Sequence, residues 1–547
     1  MSSTKSRAEI DSILSAIPHK ARGPGGSAAV IKDGEVVSQL SWGYANLEQR
    51  VPMSATTVLP ICSISKQMVC LAMTSLCRNP TPAMLMKDQS PWELMTAEMK
   101  RLLPHLDGHP GGELRLEHLF NMQSGIRDYW VMTTLYGAFP DQAFSISSDA
   151  PKTLDLTKSF HFKPGSEFSY SNVNFFVLGR ILENVSGQSL SQLLSERVFV
   201  PAGMTTASLY INTQGIPLPI VGYEGTEELG YFPAVNRIEW AGDAGIGASL
   251  ADMIAYERYL QASYSDASSL YHHNSQQQKF NDGMPASYGF GLGRVKLAGK
   301  EVIGHGGALR GFRLQRVHMP SEQLSVIIML NFENAKGSIV EDIFKAVLGH
   351  TDPEPATHIT AAAEWAGSYL DEGTQLHTSV RTVADKPGKV LIDYNRAEET
   401  FDLTSASQAE CKQGEATIEG DVLTLKRTDD NRIARAHRLA KASEEAVTNV
   451  KGADYAGVYR CEESESTFLC TGEKGTLYGA FDGFLGKGPV WLMRYIGEDV
   501  WILSCPRGMD ASPPGDWTLV FHRSGGAVTG VTIGCFLGRK VEFKKQS

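Results

Sequence analysis

The sequence lacks the segments that would carry it into or through a membrane. No uninterrupted apolar run in its 547 residues reaches the roughly 20 residues that a spanning helix needs. Residues 1–10 contain no apolar core, so no cleaved signal peptide is predicted. There is also no sustained basic block, and the formal net charge is −10. This charge balance argues against a nucleic acid or an anionic membrane as partner.

Cysteine is scarce and has the spacing of neither a disulfide framework nor a zinc site. The chain contains eight cysteines, no Cys-x-x-Cys pair and no His-Glu-x-x-His sequence. His105 and His109 are four residues apart, but Pro104, Gly108 and Pro110 disfavour a metal-binding helix there. Reduced thiols are the simplest account, and we expect a cytoplasmic protein that uses no metal and no other cofactor.

The first part of the chain combines helical patterns with antiparallel strands. Ala28–Val37 predicts two strands around Asp33-Gly34, because Asp-Gly favours a two-residue hairpin turn. A second hairpin is predicted between Phe312–His318 and Leu324–Leu330. Together with the helical patterns, these hairpins predict an α+β domain over residues 1–350, with an antiparallel sheet and helices.

The character of the sequence changes after residue 350. Residues 351–360 are predicted to be a linker, and short strand-like runs and turns follow. The sequence Trp-Ala-Gly-Ser-Tyr at 365–369 has an echo, Tyr-Ala-Gly-Val-Tyr, at 455–459. This repeat predicts two antiparallel β-barrel domains, at 361–447 and 448–547.

A Ser-x-x-Lys tetrad, Ser63 to Lys66, opens an apolar run that can be helical. Residues three apart on a helix share one face, so both side chains should point into one cleft. In the first turn, free N–H groups and the positive helix end favour a developing oxyanion. Lys66 can take the proton of Ser63 if burial and nearby cations lower the lysine pKa. The tetrad alone is weak evidence, since Ser2–Lys5 fits the same pattern.

Two later segments supply complementary chemistry. Tyr170 in a Tyr-x-Asn sequence could relay the proton of the serine to a leaving amine. Asn172 could fix a substrate carbonyl or orient Lys66. This segment, like the His305 segment described next, is by itself more typical of a turn or loop. The order of Ser-x-x-Lys, Tyr-x-Asn and His-Gly-Gly along the chain nevertheless indicates a serine hydrolase.

The second of these segments is an extended stretch that carries His305 beside Gly306 and Gly307. Small glycines on an edge strand let a substrate backbone approach closely. One strand amide would join that of Ser63 as an oxyanion donor, and His305 would help to shape and charge the site.

These segments resemble the penicillin-recognising serine hydrolases, which include class C β-lactamases, D,D-carboxypeptidases, esterases and D-aminopeptidases. The likeness runs from about Gly23 to Leu330 and implies a β-lactamase/transpeptidase-like catalytic domain. His305-Gly306-Gly307 stands where many members carry Lys-Thr-Gly. The Ser-Asp-Asn and distant Glu of class A enzymes are not evident, so β-lactams are expected as candidate inhibitors rather than fast substrates.

The D-aminopeptidase branch of this family is more similar and covers nearly the whole chain. The matching stretches are Pro60–Gln67, Gly304–Arg313, Gly479–Lys487 and Arg507–Asp510. The resemblance implies release of an N-terminal D-residue, such as D-Ala, from peptides, amides and esters, and a homodimer. It also implies that a loop of the last barrel, Arg507–Trp517, enters the cleft and that Asp510 meets the free amine of the substrate.

An aminopeptidase needs a carboxylate for the substrate ammonium and a block at one end of its cleft. Asp510 lies in a turn-rich loop between two strand-like runs, and the N-terminal segments offer no evident carboxylate for this task. Without the resemblance, a solvated hairpin loop would describe the segment better.

Other activities remain open at this stage. The same residues would serve a serine esterase, an amidase or a D,D-peptidase, although a cell-wall D,D-peptidase would need an export signal. A sensor that binds β-lactams or D-peptides without turnover is a further alternative. The combination of Ser63, Lys66 and Tyr170 argues against it, because binding alone needs no proton relay.

Overall fold

The computed structural model describes residues 5–333, 338–351, 359–382, 388–394, 398–440, 452–473, 476–510 and 515–546. The fold is an α+β N-terminal domain followed by two closed antiparallel barrels, as predicted. The expected linker lies mostly outside the described residues, and so does the expected boundary between the barrels at 447 and 448. The domain limits therefore stay predictions. No described helix is both long and apolar enough to cross a membrane.

The strands of the N-terminal domain form one large sheet and two small ones. They are β1 (Gly25–Lys32), β2 (Glu35–Asn46), β3 (Val51–Pro52), β4 (Leu59–Pro60), β5 (Ser208–Leu209), β6 (Tyr223–Thr226), β7 (Gly230–Pro233), β8 (Ile246–Ala248), β9 (Tyr288–Gly289), β10 (Leu292–Leu297), β11 (Lys300–Leu309), β12 (Phe312–Met319) and β13 (Leu324–Leu330). The large sheet has the order β3-β2-β1-β13-β12-β11-β10-β9. The pairing of β10 with β11 ends at Gly304, so the last part of β11 borders the cleft described below.

The helices of the described chain lie mostly on one side of this sheet. They are α1 (Arg7–Ser15), α2 (Ile17–Lys20), α3 (Ser65–Arg78), α4 (Pro82–Leu85), α5 (Pro91–Leu102), α6 (Leu116–Phe120), α7 (Tyr129–Leu135), α8 (Asp149–Asp155), α9 (Asn172–Ser186), α10 (Leu190–Leu194), α11 (Val200–Ala202), α12 (Leu250–Tyr264), α13 (Leu270–Asn274), α14 (Ile339–Leu348) and α15 (Gly452–Tyr455). Four 3₁₀ turns (Cys62–Ile64, Thr213–Gly215, Pro320–Glu322 and Ala363–Trp365) and a π-helical turn (Ser195–Phe199) complete the set.

Alternation along the strands sends side chains into two separate cores. Ala28 and Val30 of β1 pack with α1 and α14, whereas Ala29 and Ile31 face the large core that contains α3 and α9. The hairpin turn at Asp33-Gly34 is confirmed, with positive φ at both residues, as a tight turn between twisted strands requires. The hairpin of β12 and β13 is also confirmed.

Helix α3 lies inside the large core rather than on the surface. All its residues from Ser65 to Leu76 are buried, because the helix is enclosed by the sheet and by other helices. Because α3 is covered on all sides, close packing fixes the position of its first turn. Ser63 lies just before this turn.

The two barrels account for the remaining strands. Barrel B consists of β14 (Gly367–Asp371), β15 (His377–Thr382), β16 (Lys389–Asp393), β17 (Glu398–Ser405), β18 (Gln408–Cys411), β19 (Gly414–Glu419), β20 (Val422–Arg427) and β21 (Arg432–Arg438). Barrel C consists of β22 (Gly457–Cys461), β23 (Ser466–Glu473), β24 (Thr476–Gly483), β25 (Gly486–Lys487), β26 (Trp491–Gly497), β27 (Val500–Cys505), β28 (Gly515–Ser524), β29 (Ala527–Cys535) and β30 (Gly538–Lys545). Pairing of β14 with β21 closes barrel B, and pairing of β23 with β24 closes barrel C.

The two copies of the internal repeat lie at equivalent positions, at the start of the first strand of each barrel. The hydroxyl of Tyr369 on β14 donates to the carbonyl of Trp365, and Tyr459 on β22 donates to the carbonyl of Tyr455. Each tyrosine thus ties the first strand of its barrel to the turn before it, which confirms the repeat as structural.

Barrel C packs against the N-terminal domain beside α7. Val131, Met132, Leu135 and Tyr136 share a hydrophobic cluster with the side chains of barrel C. The backbones also meet closely, since a Cβ at Gly137 would lie 1.9 Å from the carbonyl oxygen of Gly486. This contact brings a loop of barrel C to the cleft in the N-terminal domain.

Candidate active site

The structure brings Ser63 and Lys66 together at the start of α3. Ser63 lies in the 3₁₀ turn that leads into the helix, after Cys62 with a φ of 52°. Lys66 Nζ donates to Ser63 Oγ at 3.0 Å, and the lysine side chain is fully buried. The pair therefore has the contact that proton transfer requires.

Burial shifts the protonation equilibrium of Lys66 towards its neutral form. Loss of hydration lowers the lysine pKa to about 8, against the opposing influence of the carboxylates of Asp243, Asp510 and Asp128. Asn172 Oδ1 accepts from Nζ at 2.8 Å, and the main-chain carbonyl of Asp243 is a second acceptor. These acceptors hold the amine beside the serine.

Tyr170 lies over the same lysine. Nζ of Lys66 is 5.0 Å from the centre of the phenol ring. Its hydroxyl is buried and has no hydrogen bond of good geometry among the described residues. Desolvation raises the pKa of Tyr170 well above 10, and Ser63 is close enough to oppose the shift. The phenol is therefore neutral and suited to pass a proton on rather than to stay ionised.

Asp128 is a site residue that the sequence analysis missed. It is buried, lines the same cavity as Ser63, and accepts from the backbone N–H of Asn172 at 2.7 Å. Desolvation raises its pKa to about 6, while Asn172 and Lys66 act in the opposite direction. The expectation that the N-terminal segments offer no evident carboxylate for a substrate amine thus overlooked one that lines the cavity. An aspartate beside the motif-like segment Gln123–Arg127 was the available signal.

Asp243 is a second carboxylate that the sequence analysis missed. Its Oδ2 accepts from Tyr129 Oη at 2.7 Å and from Trp130 Nε1 at 3.3 Å. The φ of Gly242 is 92°, and a Cβ there would lie 2.3 Å from the carbonyl oxygen of Phe175. This glycine turn places the Asp243 carbonyl at Lys66. The glycine-flanked aspartate was the available signal in the sequence.

His305 contributes shape but no positive charge. Desolvation and the nearby Lys66 charge lower its pKa to about 3. Its Nδ1 faces the carbonyl of Gly306 and its Nε2 lies 2.9 Å from Tyr288 Oη. A carbonyl can only accept, so Nδ1 carries the proton and Nε2 accepts from Tyr288. The expectation that His305 charges the site is therefore wrong.

The two glycines after His305 differ in their steric demands. A Cβ at Gly307 would lie 2.4 Å from the carbonyl oxygen of Ile61, whereas a Cβ at Gly306 would meet nothing closer than 3.7 Å. Gly307 therefore allows β11 to approach the turn that carries Ser63, which the sequence analysis had attributed to substrate approach. Gly306, Gly307 and Ala308 of β11 line the same cavity as Ser63.

Asp510 of barrel C reaches this cavity. The volume of the cavity is about 610 Å³, and its walls include Asn172 and His305 from the N-terminal domain and Met509, Asp510 and Leu537 from barrel C. Asp510 Oδ1 is buried without a hydrogen-bond partner among the described residues. Desolvation, followed by the charges of Asp243 and Asp128, raises the Asp510 pKa to about 8. The neighbouring loop residues 511–514 lie outside the described part of the chain.

A buried, unpartnered carboxylate oxygen favours a cation as its ligand. Within the described residues, no group of three or more His, Cys, Asp or Glu side chains is arranged to hold a metal ion. The expectation that no metal cofactor is used remains a prediction.

The fold and this arrangement of residues define a class of hydrolases with a β-lactamase-like domain. Residues 10–348 match the sequence model of the family described as Beta-lactamase. The octameric penicillin-binding protein homologue from Pyrococcus abyssi shares the fold with a TM-score of 0.51 and 20% identity, over 78% of this chain and 99% of its own.

The C-terminal region indicates which branch of this class of hydrolases the chain resembles. Residues 358–544 match the model described as D-aminopeptidase, domain B. The D-aminopeptidase of Brucella canis is 39% identical over 537 residues, which is 98% of each chain. The D-aminopeptidase of Gluconobacter oxydans is 39% identical over 546 residues, 98% of this chain and 99% of its own. The chain therefore belongs to the D-aminopeptidase family of β-lactamase-like serine hydrolases.

Proposed function

We propose that this protein is a serine aminopeptidase that releases N-terminal D-residues of the D-Ala type from peptides, amides and esters. One observation carries the proposal: Asp510 Oδ1, which has no hydrogen-bond partner within the described part of the chain, is buried in the same cavity as Ser63. The relatives in Brucella and Gluconobacter, which are named D-aminopeptidases, support the preference for a D-residue.

Acylation would use Ser63, Lys66 and Tyr170 in sequence. Neutral Lys66 accepts the proton of Ser63 Oγ across the 3.0 Å contact while Oγ attacks the substrate carbonyl. The amide of Ser63 and an amide of β11 stabilise the oxyanion. Tyr170 then passes a proton to the leaving amine and regains one from protonated Lys66, so the C–N bond breaks and an acyl-enzyme remains. Water, activated by the same residues, releases the amino acid.

Recognition of the free amine would rest on Asp510, with Asp128 as a second carboxylate in the cavity. Ammonium binding favours ionised Asp510, because opposite charges stabilise each other in a poorly hydrated site. In this proposal Met509 and Asp510, which line the cavity from barrel C, limit the space for chain beyond the terminal residue. We also propose that Asn172, Gly306 and Gly307 line the path of the substrate backbone.

The finer expectations from the family resemblance belong to the same proposal. We propose a cytoplasmic homodimer in which β-lactams inhibit by acylating Ser63. Light scattering coupled to size exclusion measures the oligomeric state, and intact-mass spectrometry after incubation with penicillin detects the acyl adduct. A monomer, or the absence of an adduct, would contradict the respective part.

The proposed function is tested with D-Ala and L-Ala p-nitroanilides, each with a free and with an N-acetylated amine. We expect kcat/KM to be highest for the free D-substrate. Equal turnover of free and acetylated substrates would instead indicate a general serine esterase or amidase. Binding of all four compounds without any burst or turnover would indicate a sensor.

A further inference from the structure

Two arginines from different domains share one buried carboxylate beside the cleft. Glu224 on β6 accepts from Arg310 Nε at 3.1 Å and from Arg310 Nη2 at 3.2 Å. Arg507 of barrel C also pairs with Glu224 Oε1. The side chains of Glu224 and Arg310 are 5% and 3% exposed, whereas that of Arg507 is 40% exposed. The pair of Glu224 with Arg310 is buried within the N-terminal domain, and the more exposed Arg507 of barrel C adds to it.

Arg310 of this group also holds the backbone of Asp510. The backbone N–H of Arg310 donates to the carbonyl of Asp510 at 3.0 Å. Arg310 directly follows β11, the strand that carries His305. Its Nη1 also donates to Asp141 Oδ1 at 2.6 Å. One arginine is thus tied to the edge of the cleft, to Glu224 and to the barrel C loop.

The loop needs such a tether because its acid lies among like charges. Burial and then the carboxylates of Asp243 and Asp128 disfavour the ionised form of Asp510, against the opposing influence of the Lys66 and Arg313 cations. Repulsion in a poorly hydrated cavity would move the loop outward once Asp510 ionises. The attraction between Arg507 and Glu224 acts on the same loop, only three residues away, in the inward direction.

We propose that Arg507 and Glu224 are positioning residues: their ion pair joins the barrel C loop to the N-terminal domain and holds Asp510 where the substrate ammonium binds. This inference rests on the proposed aminopeptidase function. Barrel C is then part of substrate selection, because the carboxylate that selects a free amine is placed by a contact between domains.

Arg507→Ala is the primary test, since it leaves Glu224 paired with Arg310 and exposes no unpaired buried charge. We expect kcat/KM for free D-Ala p-nitroanilide to fall on the order of 10- to 100-fold, the scale for a small misplacement of a binding group. The loss should lie mainly in KM. The N-acetylated substrate should change less than about twofold, because it does not use Asp510. An equal loss on both substrates would overturn the proposal.

The sign of the effect separates positioning from simple electrostatics. Removal of a cation near the cleft should by itself improve binding of a cationic substrate. A gain in kcat/KM for the free amine would therefore overturn positioning. Asp510→Asn should cost little more in the Arg507→Ala background, and Arg507→Lys should recover part of the activity. Full additivity of Arg507→Ala and Asp510→Asn would contradict the proposal.

Asp141→Asn is the matched control, because Asp141 pairs with Arg310 but its side chain is 61% exposed and makes no contact with Arg507 in the described structure. It should leave both substrates nearly unchanged. Hydrogen exchange of the Arg310 amide, which donates to the Asp510 carbonyl, gives a readout independent of activity. Faster exchange in Arg507→Ala with unchanged global stability supports the tether. This conclusion holds even if Asp510→Asn shows that Asp510 does not bind the substrate amine. Unchanged exchange would overturn the tether and leave the proposed function standing.

Discussion

Lys66 Nζ lies 3.0 Å from Ser63 Oγ and 2.8 Å from Asn172 Oδ1, so one buried amine is held between the nucleophile and an amide oxygen. Its pKa of about 8 follows from burial, since the surrounding carboxylates act in the opposite direction. A lysine with this pKa can accept a proton near neutral pH, which an exposed lysine cannot do.

Ser63→Ala should abolish turnover and covalent labelling by a serine-directed acylating reagent, because Ser63 carries the hydroxyl that contacts the Lys66 amine. Lys66→Ala should be almost as severe. The double variant should resemble the single ones, since members of one catalytic unit are not additive. Intact-mass spectrometry measures the labelling. Substantial turnover by a clean Ser63→Ala preparation would contradict the assignment.

Asp510→Asn should weaken kcat/KM for free-amine substrates by on the order of 2–4 kcal/mol, the scale for truncating a buried charge pair. N-acetylated substrates should lose little. Asp128→Asn is the informative companion, because Asp128 also accepts from the backbone of Asn172. It should therefore reduce turnover of both substrate types. Equal losses on both types from Asp510→Asn would mean that Asp510 only holds its loop together.

The pH profile follows from the sign of the Lys66 shift. The base must be neutral, so kcat/KM for an N-acetylated ester should rise as pH increases through about 8. The negative charge of Asp510 raises the Lys66 pKa, so its removal should lower that pKa. The rising limb in Asp510→Asn should accordingly move to lower pH. A shift to higher pH would exclude this interaction.

Gly307→Ala and Gly306→Ala form a matched pair. The new Cβ at Gly307 would lie 2.4 Å from the Ile61 carbonyl oxygen and would push β11 away from the turn that carries Ser63. We expect kcat to fall by at least about 100-fold, as for a lost oxyanion donor. Gly306→Ala, whose Cβ would meet no protein atom closer than 3.7 Å, should leave β11 and Ser63 in place and therefore change KM more than kcat. Thermal melting of both variants verifies that they are folded, and equal activities would contradict the steric argument.

Exhaustive chelation should leave activity unchanged, because the proposed base is a lysine and no bound metal is required for acylation. Dialysis against a strong chelator, followed by assay with and without added zinc, is the measurement. An enzyme that lost activity and regained it with metal would overturn the serine mechanism.

The pairing of Ser63 with Lys66 could be predicted because it depends on local geometry: a helical turn brings residues three apart onto one face. The hairpin at Asp33-Gly34 is a similar case, since its turn residues specify the backbone by themselves. The tyrosine repeat predicted two barrels for the same reason, because each copy is a local motif at the entry to a strand.

Asp128, Asp243 and the neutral state of His305 could not be predicted in this way. Their properties depend on which groups are nearby and on how much water is excluded, and those neighbours come from distant parts of the chain. Proximity of like charges and loss of hydration set a pKa, and neither leaves a pattern in the sequence.

The sequence by itself determined the family and the order of the catalytic motifs, because both are properties of the residues and their spacing. It also determined the local geometry around Ser63, because short-range backbone preferences specify that geometry. The tertiary structure alone decided that Glu224 joins Arg507 to Arg310 and that Asp510 Oδ1, without a partner among the described residues, lies in the same cavity as Asp128. These relationships depend on the docking of barrel C against α7, in which close backbone contact and shared apolar packing bring charges from separate domains into one poorly hydrated space.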